Sequence, residues 1–392
     1  MPQPDKRTPV QTLTPFLPFH KPLFGEEELE QLREALESGW LTRGPKTQAF
    51  EDAFRDYIGS TSAVGVNSAT SGLHLALVVL GVEEGEVITT PITYCATPNE
   101  IEHAGCTPVF ADVDPVTWLI DPADVERKIT PRTKALMPVH LYGQSCDMDA
   151  LRAIARKHNL RIIEDAAHAI ETTWRNEKIG TIGDFTVFSF YPTKNISTGE
   201  GGMMTTMDAE LGERAKVLSM HGNSKDAWKR YGSSGFARYQ LMERGYKYHM
   251  FDLIAALGLA QLPKLEGWWA HRKMLWQRYD ESLAQMTGVR PIPITMPGRH
   301  AYHLYVVEID PAVCARDTVL ERMQAAGVGL GIHYEAMHVQ PYYANKYGLR
   351  PEDLPYATRA SERMLSLPLY PRMSLSDIER VVQTLGQVLQ AS

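Results

Sequence analysis

Seven short runs rich in β-branched and aromatic residues lie between positions 63 and 206, and this constrains the chain more than any other feature. They are Ala63–Val66, Glu86–Thr90, Thr107–Ala111, Lys134–Val139, Leu160–Ile163, Thr186–Phe190 and Gly202–Thr206. Helical patterns intervene at Leu73–Leu80, Ala96–Ala104, after Asp121-Pro122 and at Met148–His158, and another follows at Ala209–Met220. Strand and helix in alternation call for an α/β architecture, a mostly parallel sheet flanked by helices. Ligands of such sheets sit beyond the carboxyl ends of the strands. Thr70, Tyr94, Asp165 and Lys194 all fall at such ends.

The chain has 392 residues, 44% of them hydrophobic, which is enough for two cores. Residues 1–15 contain four prolines and no apolar centre, and read as a mobile arm. Residues 16–250 read as a large domain, opened by a helix over Glu26–Ser38 that Gly39 stops. Residues 251–392 read as a long linking helix, bent at Pro263, and a smaller α/β domain. In that domain Ala301–Ile309 alternates as a strand, Arg316–Ala326 is helical, and Ser374 to Asp377 forms a capping box. A net charge of −7 argues against a general nucleic-acid binder. No run approaches the ~20 apolar residues of a membrane span. Cys95, Cys106, Cys146 and Cys314 lack CxxC spacing and suit a reducing compartment, so the cytoplasm is expected.

Lys194 is the sharpest chemical signal. The run to Phe190 breaks at Pro192, and Asn195, Gly199, Gly201 and Gly202 follow the lysine closely, so an amine is offered at a strand's end with little bulk around it. A desolvated amine loses its proton and condenses with an aldehyde, of which pyridoxal phosphate is the commonest in biology. The plain alternative is a solvated turn lysine. A cofactor of this kind also needs an acid for its ring nitrogen, a phosphate cradle and a flat side chain over the ring.

Each requirement has a candidate, and each candidate has a structural alternative. Asp165 ends a strand, where it either caps the next helix or keeps a pyridine nitrogen protonated. His168, three residues on and placed on the same helical face, is a core histidine or a donor to the phenolic oxygen. Thr70 and Ser71 at a helix start are caps or phosphate ligands. Tyr94 is core or a ring-stacking surface. The loop Trp40-Leu-Thr-Arg-Gly-Pro45 is a turn or part of a site. Asp226–Arg244, with Trp228, Lys229, Arg230, Tyr231, Arg238 and Arg244, is long for a structureless connection and suggests a functional or interface loop. His303, His333 and His338 lack metal-ligand spacing, so no metal is expected and a polar substrate pocket or structural use covers them.

Taken together, these stretches resemble the DegT/DnrJ/EryC1/StrS sugar aminotransferases over nearly the whole length. The matching motifs are Trp40–Pro45, Asn67-Ser-Ala-Thr-Ser-Gly-Leu-His-Leu-Ala76, Thr107-Pro-Val-Phe-Ala-Asp-Val-Asp114, Pro138-Val-His-Leu-Tyr-Gly-Gln144, Ile163-Glu-Asp-Ala-Ala-His168, Phe188-Ser-Phe-Tyr-Pro-Thr-Lys-Asn195, Gly199-Glu-Gly-Gly202 and Gly245-Tyr-Lys-Tyr-His-Met250. The resemblance implies the fold type I architecture of pyridoxal-phosphate enzymes, with a seven-stranded sheet. It implies a covalent imine on Lys194, ring-nitrogen contact by Asp165, stacking by Tyr94, contact of His168 with the phenolic oxygen, and phosphate contacts by Ser189, Thr70 and neighbouring amides such as that of Ala69. It further implies a homodimer with shared sites, in which the segment after Gly245 reaches the partner's phosphate. Many members carry Asn where this chain has Lys247, and Arg or Asn where it has His249, which leaves both as candidates for that contact.

The implied reaction is transfer of the amino group of L-glutamate to a nucleotide-linked keto sugar, closer to the subgroup making 4-amino than 3-amino sugars. Trp40, Thr42, Arg43, Tyr191, Arg230, His333, Tyr334 and His338 are the substrate candidates, with the basic side chains placed to meet a diphosphate. Alternatives are amination of a keto-cyclitol and a non-catalytic regulator that only binds the cofactor or the nucleotide sugar. A nicotinamide dehydrogenase is disfavoured because the loop after Val66 lacks GxGxxG.

Overall fold

The computed structural model describes residues 15–223 and 240–390. Nearly all of the expected arm, and Trp228, Lys229, Arg230, Tyr231 and Arg238, lie outside the described residues.

Helices α1 (Glu26–Ser38) and α2 (Pro45–Ile58) lead into β1 (Ser62–Val66). There follow α3 (Ala69–Val79), β2 (Glu86–Thr89), α4 (Ala96–His103), β3 (Thr107–Phe110), α5 (Pro122–Arg127), β4 (Thr133–Met137), α6 (Met148–His158) and β5 (Arg161–Asp165). A hairpin, β6 (Thr173–Trp174) and β7 (Glu177–Lys178), precedes β8 (Phe185–Ser189), β9 (Gly202–Thr206) and α7 (Ala209–Ser219). The large sheet has seven strands in the order β1-β9-β8-β5-β4-β2-β3. Strand β9 is antiparallel to both neighbours, and the other pairings are parallel. One edge of the sheet therefore collects the carboxyl ends of β1, β2, β5 and β8 together with the amino end of β9. This is the mostly parallel α/β sheet expected from the alternation.

The second body begins where Pro263 breaks the linking helix. It separates α8 (Asp252–Gln261) from α9 (Leu265–Leu283), because its ring cannot take the interior hydrogen bond. Beyond lie β10 (Val289–Pro291), β11 (Tyr305–Ile309), α10 (Arg316–Ala325), α11 (Pro341–Tyr347), α12 (Pro355–Arg363), β12 (Met364–Leu367) and α13 (Leu375–Gln390). The three strands form an antiparallel sheet over a core that includes Leu275, Tyr279, Val319, Leu365 and Leu385. Ser374 and Asp377 exchange hydrogen bonds as a capping box. The chain's first described residues join this body: the Leu17 amide donates to Gly327 O and the Gly329 amide to Leu17 O. Arg380 of α13 holds the Pro15 carbonyl.

Two local expectations fail for identifiable reasons. The strand expected over Ala301–Ile309 starts only at Tyr305, because the amides of Ala301, His303 and Leu304 donate to Gly143 O and Tyr142 O instead of to a neighbouring strand. No helix follows Asp165, so Asp165 and His168 do not share a helical face. The segment after β5 turns sharply, and the Ala167 amide donates to Asp165 Oδ1.

The Trp40–Pro45 loop is fixed by a residue absent from the sequence reading. The buried carboxylate of Asp252 accepts from the amides of Gly44, Lys46 and Thr47 and from the Thr47 hydroxyl. It satisfies the start of α2 from another helix. Asp252→Ala leaves these donors unpaired, and the expected cost is about 3 kcal/mol, read as a lower midpoint in urea denaturation.

Candidate active site

Lys194 sits in the turn between β8 and β9, with its amide donating to Tyr191 O at 2.8 Å. The turn is closed by Phe190 N to Gly201 O and Thr198 N to Phe190 O, both 2.9 Å. Gly201, at φ +152, takes a backbone conformation that side chains disfavour. Burial pushes the Lys194 amine down to about 8, and the Asp165 charge pulls it part of the way back.

Asp165 ends β5 and is 6% exposed. Both oxygens are engaged: Thr97 Oγ1 donates to Oδ2 at 2.8 Å and the Ala167 amide to Oδ1 at 3.1 Å. Burial raises its pKa, while these two bonds and Lys194 work against the rise. Behind it, the buried Glu164 accepts from Gly183 N and Thr186 Oγ1 and pairs with His140 at 2.8 Å.

Imidazoles gather around the amine. His168 Nδ1 accepts from the Tyr142 amide at 3.3 Å, so its proton lies on Nε2, which is 3.1 Å from the Tyr334 hydroxyl. Its ring centroid is 4.5 Å from that of His303 and 5.9 Å from that of Tyr334. Burial, followed by the charge of Lys194, holds His168 well below the usual range. Burial likewise takes His333 to about 3, with Lys194 adding to the effect. His333 stacks on Phe19 at 5.0 Å and meets Ser366 Oγ at 2.9 Å. Tyr94, 59% exposed, lies 5.8 Å ring to ring from Tyr334.

The amino end of α3 closes the other side. The cap is Ser68, whose hydroxyl accepts the Ser71 amide at 3.1 Å, so Ala69 and Thr70 fall in the first turn. Their amides head the helix, where no carbonyl of the helix can reach them. A Cβ on Gly202 would come within 2.7 Å of Ala69 N, so this glycine lets the start of β9 approach the helix end. Ser189 Oγ, next to Gly202 across the β8–β9 ladder, accepts the Tyr191 amide at 3.4 Å.

Other expected residues lie apart. His249 bridges to Val66, is 3.5 Å from Thr42 Oγ1 and feels the charges of Arg43 and Lys247. The Lys247 carbonyl accepts from Asn67 Nδ2 at 3.3 Å, beside the α3 start. Arg43 forms a two-pronged ion pair with the buried Glu51, at 2.7 and 2.8 Å, so its charge is spent within the chain. His338 does not join the group around Lys194; it is fully buried, with Nε2 3.0 Å from Thr358 Oγ1 of α12. Tyr191 and Thr42 are exposed and Trp40 is half-buried, while Arg230 lies outside the described residues.

Several neighbours escaped the sequence reading. Thr97, Tyr142, Glu171 and Arg272 carry no local signal for these roles, since Thr97 meets Asp165 across 68 positions, Tyr142 meets His168 across 26, and Glu171 and Arg272 meet each other across 101. His20 feels the charge of Lys194, donates towards the Pro192 carbonyl and is lowered to about 4, chiefly by burial. A cavity of about 740 Å³ opens beside Tyr94 and Tyr334, lined also by Asn99, Met337 and Tyr343. A second hollow of about 590 Å³ lies at the opposite strand ends, among Arg161, Asp184 and Thr206, away from this chemistry.

A model of the DegT/DnrJ/EryC1/StrS aminotransferase family matches residues 22–386. The chain belongs to this family. It is 46% identical over 387 residues, 98% of this chain and 100% of the other, to the spore coat polysaccharide biosynthesis protein SpsC of Bacillus subtilis (strain 168). The fold superposes with a TM-score of 0.89 on Spr1654 of Streptococcus pneumoniae in its PLP form, at 31% identity, covering 96% of this chain and 99% of that one. It superposes at 0.85 on DesI, solved in the presence of its TDP-sugar product, at 33% identity and with 96% and 93% covered.

DegT/DnrJ/EryC1/StrS aminotransferases depend on pyridoxal phosphate, and the residues present suit that group. The chain offers a lysine amine that is half neutral near pH 8, a buried carboxylate, an imidazole N–H, and a helix end that Gly202 keeps open. The neutral amine is the reactive form, so imine formation between added pyridoxal phosphate and cofactor-free protein should rise with pH through a midpoint of about 8. The Asp165 carboxylate favours the ammonium form, so Asp165→Asn should move that midpoint to lower pH, as read from the visible absorbance of the imine.

Proposed function

We propose that this sugar aminotransferase moves the amino group of L-glutamate onto a nucleotide-linked keto sugar, a 4-keto-6-deoxyhexose or a 4-keto pentose. The reading rests above all on one observation: the Lys194 amine, lowered to about 8, lies under the electrostatic reach of both Asp165 and His168. A tether, a carboxylate for a ring nitrogen and an N–H for a phenolic oxygen thus belong to one site.

Asp165, fixed by Thr97 and Ala167, holds the ring nitrogen protonated, and each unit by which it raises that nitrogen's pKa is worth about 1.4 kcal/mol. His168 donates its Nε2 proton to the phenolic oxygen. Ser189 Oγ, Thr70 and the amides of Ala69 and Thr70 hold the phosphate, aided by the positive end of α3. Tyr94 covers the ring face. When bound, pyridoxal phosphate supplies the electron sink that makes the donor's Cα–H acidic. Lys194, first the tether, then takes the proton from Cα and in the return half-reaction delivers one to the acceptor carbon.

The active unit is a homodimer in the cytoplasm, with Lys247 and His249 presented to the partner's phosphate from beside the α3 start. Trp40, Thr42, Tyr191, His333 and Tyr334 line the acceptor's path. Arg43 instead braces the loop through Glu51, and His338 supports α12. No helix among the described residues is long and apolar enough to cross a membrane.

The test is two half-reactions followed by absorbance. L-Glutamate should discharge the cofactor's imine colour with one 2-oxoglutarate released per site, and a nucleotide-linked 4-keto-6-deoxyhexose should restore it. Binding without any 2-oxoglutarate would mark a regulator, while restoration only by a keto-cyclitol would reassign the acceptor. Lys194→Ala should still bind the cofactor and should lose at least about 10³-fold in the glutamate half-reaction.

A further inference from the structure

Arg272 on α9 and Glu171, on the segment after β5, form an ion pair buried on both sides, at 1% and 0% exposure. Burying two charges costs several kcal/mol, so the pair invites a reason beyond stability. It reaches Asn195, the residue next to the reactive lysine. Asn195 Nδ2 donates to Glu171 Oε2 at 2.7 Å, and Asn195 Oδ1 lies 2.8 Å from His303 Nδ1. With its NH₂ committed to the carboxylate, the amide turns its oxygen to His303, which must carry its proton on Nδ1. The circuit closes on the other side. The His303 amide donates to Tyr142 O at 3.2 Å, the Tyr142 amide donates to His168 Nδ1, and Arg272 Nε donates to Tyr302 O at 3.1 Å.

We propose that Asn195 is a positioning residue for the transamination, its amide oriented by the Glu171–Arg272 pair so that it pins the Lys194 turn and fixes His303 as the Nδ1–H tautomer against His168. His303 is thereby held as a neutral ring with its Nε2 lone pair free, and His168 keeps its Nε2–H for the cofactor. The charges of Lys194 and Arg272 reinforce this by disfavouring protonation of His303, for which burial is the largest cause.

Glu171→Gln separates orientation from packing. Arg272, the stronger donor, would claim the new amide's oxygen, leaving its NH₂ facing Asn195. The Asn195 amide must then flip and present a donor to His303, which moves its proton to Nε2. In protein labelled with ¹⁵N-histidine, with His303 assigned by its loss in His303→Gln, the wild type should show a protonated Nδ1 and an unprotonated Nε2. Glu171→Gln should invert the pattern. Asn195→Ala, which leaves the ion pair whole, should release the preference for Nδ1–H. In both variants kcat for the glutamate half-reaction should fall by roughly tenfold to a hundredfold, as expected for slight misplacement of the reacting groups. A pair that serves only packing would lower the Tm of Glu171→Gln and leave tautomer and kcat unchanged, and that result overturns the proposal. The kinetic arm rests on L-glutamate as the donor. If the wild type ignores glutamate while the tautomer inverts as stated, the donor is wrong and the positioning role stands; if the tautomer in both variants is unchanged from the wild type, the role falls whatever the donor.

Discussion

Shielding one amine from water governs much of this structure. An ammonium group at its ordinary pKa is almost wholly protonated at neutral pH and unreactive towards an aldehyde, and the remedy is burial. Burial brings obligations. The turn carrying Lys194 needs Gly201 in an unusual backbone conformation and Gly202 without a side chain, since β9 must pass against the head of α3. The reversed direction of β9 serves the same end, because it brings the chain straight back across the sheet from the lysine turn.

The surroundings control protons through neutral rather than charged groups. His20, His168, His303 and His333 all feel the lysine's charge, and burial holds all of them below their ordinary range. A neutral imidazole has one donor and one acceptor, so its usefulness depends on which nitrogen carries the proton. For His168 the choice is made by a backbone amide, that of Tyr142, and for His303 by the Asn195 side chain. Asp165, whose charge acts on Lys194, has each oxygen fixed by a donor, so it presents that charge in a single orientation.

What the sequence disclosed follows the range of the interactions. Strands, caps at Asp121 and Ser374, and the break at Pro263 depend on neighbours a few positions away, and they were legible. The placement of Lys194, Asp165 and Thr70 at one edge of the sheet was legible as well, because the ends of strands and the starts of the helices that follow them are themselves local patterns. The failures are long-range. Ala301–Leu304 has the alternation of a strand but spends its amides on Tyr142 and Gly143, some 160 positions earlier in the chain as counted from those same bonds. Arg43 looks like a phosphate ligand until Glu51 is placed opposite it. His338 sits among site residues in sequence and faces α12 in space. No periodicity announces that Arg272 will meet Glu171.

The pairing of Leu17 with Val328, Gly327 and Gly329, with Arg380 holding Pro15, stitches the start of the chain to its end. A ribosome that has made only the large sheet has nothing yet for Leu17 to bind. Phe19, which backs His333, and His20, which reaches the Pro192 carbonyl, therefore reach their places after residues more than 300 positions downstream have emerged. Of the groups that feel the lysine's charge, His20 is thus the earliest made and among the last to be built in.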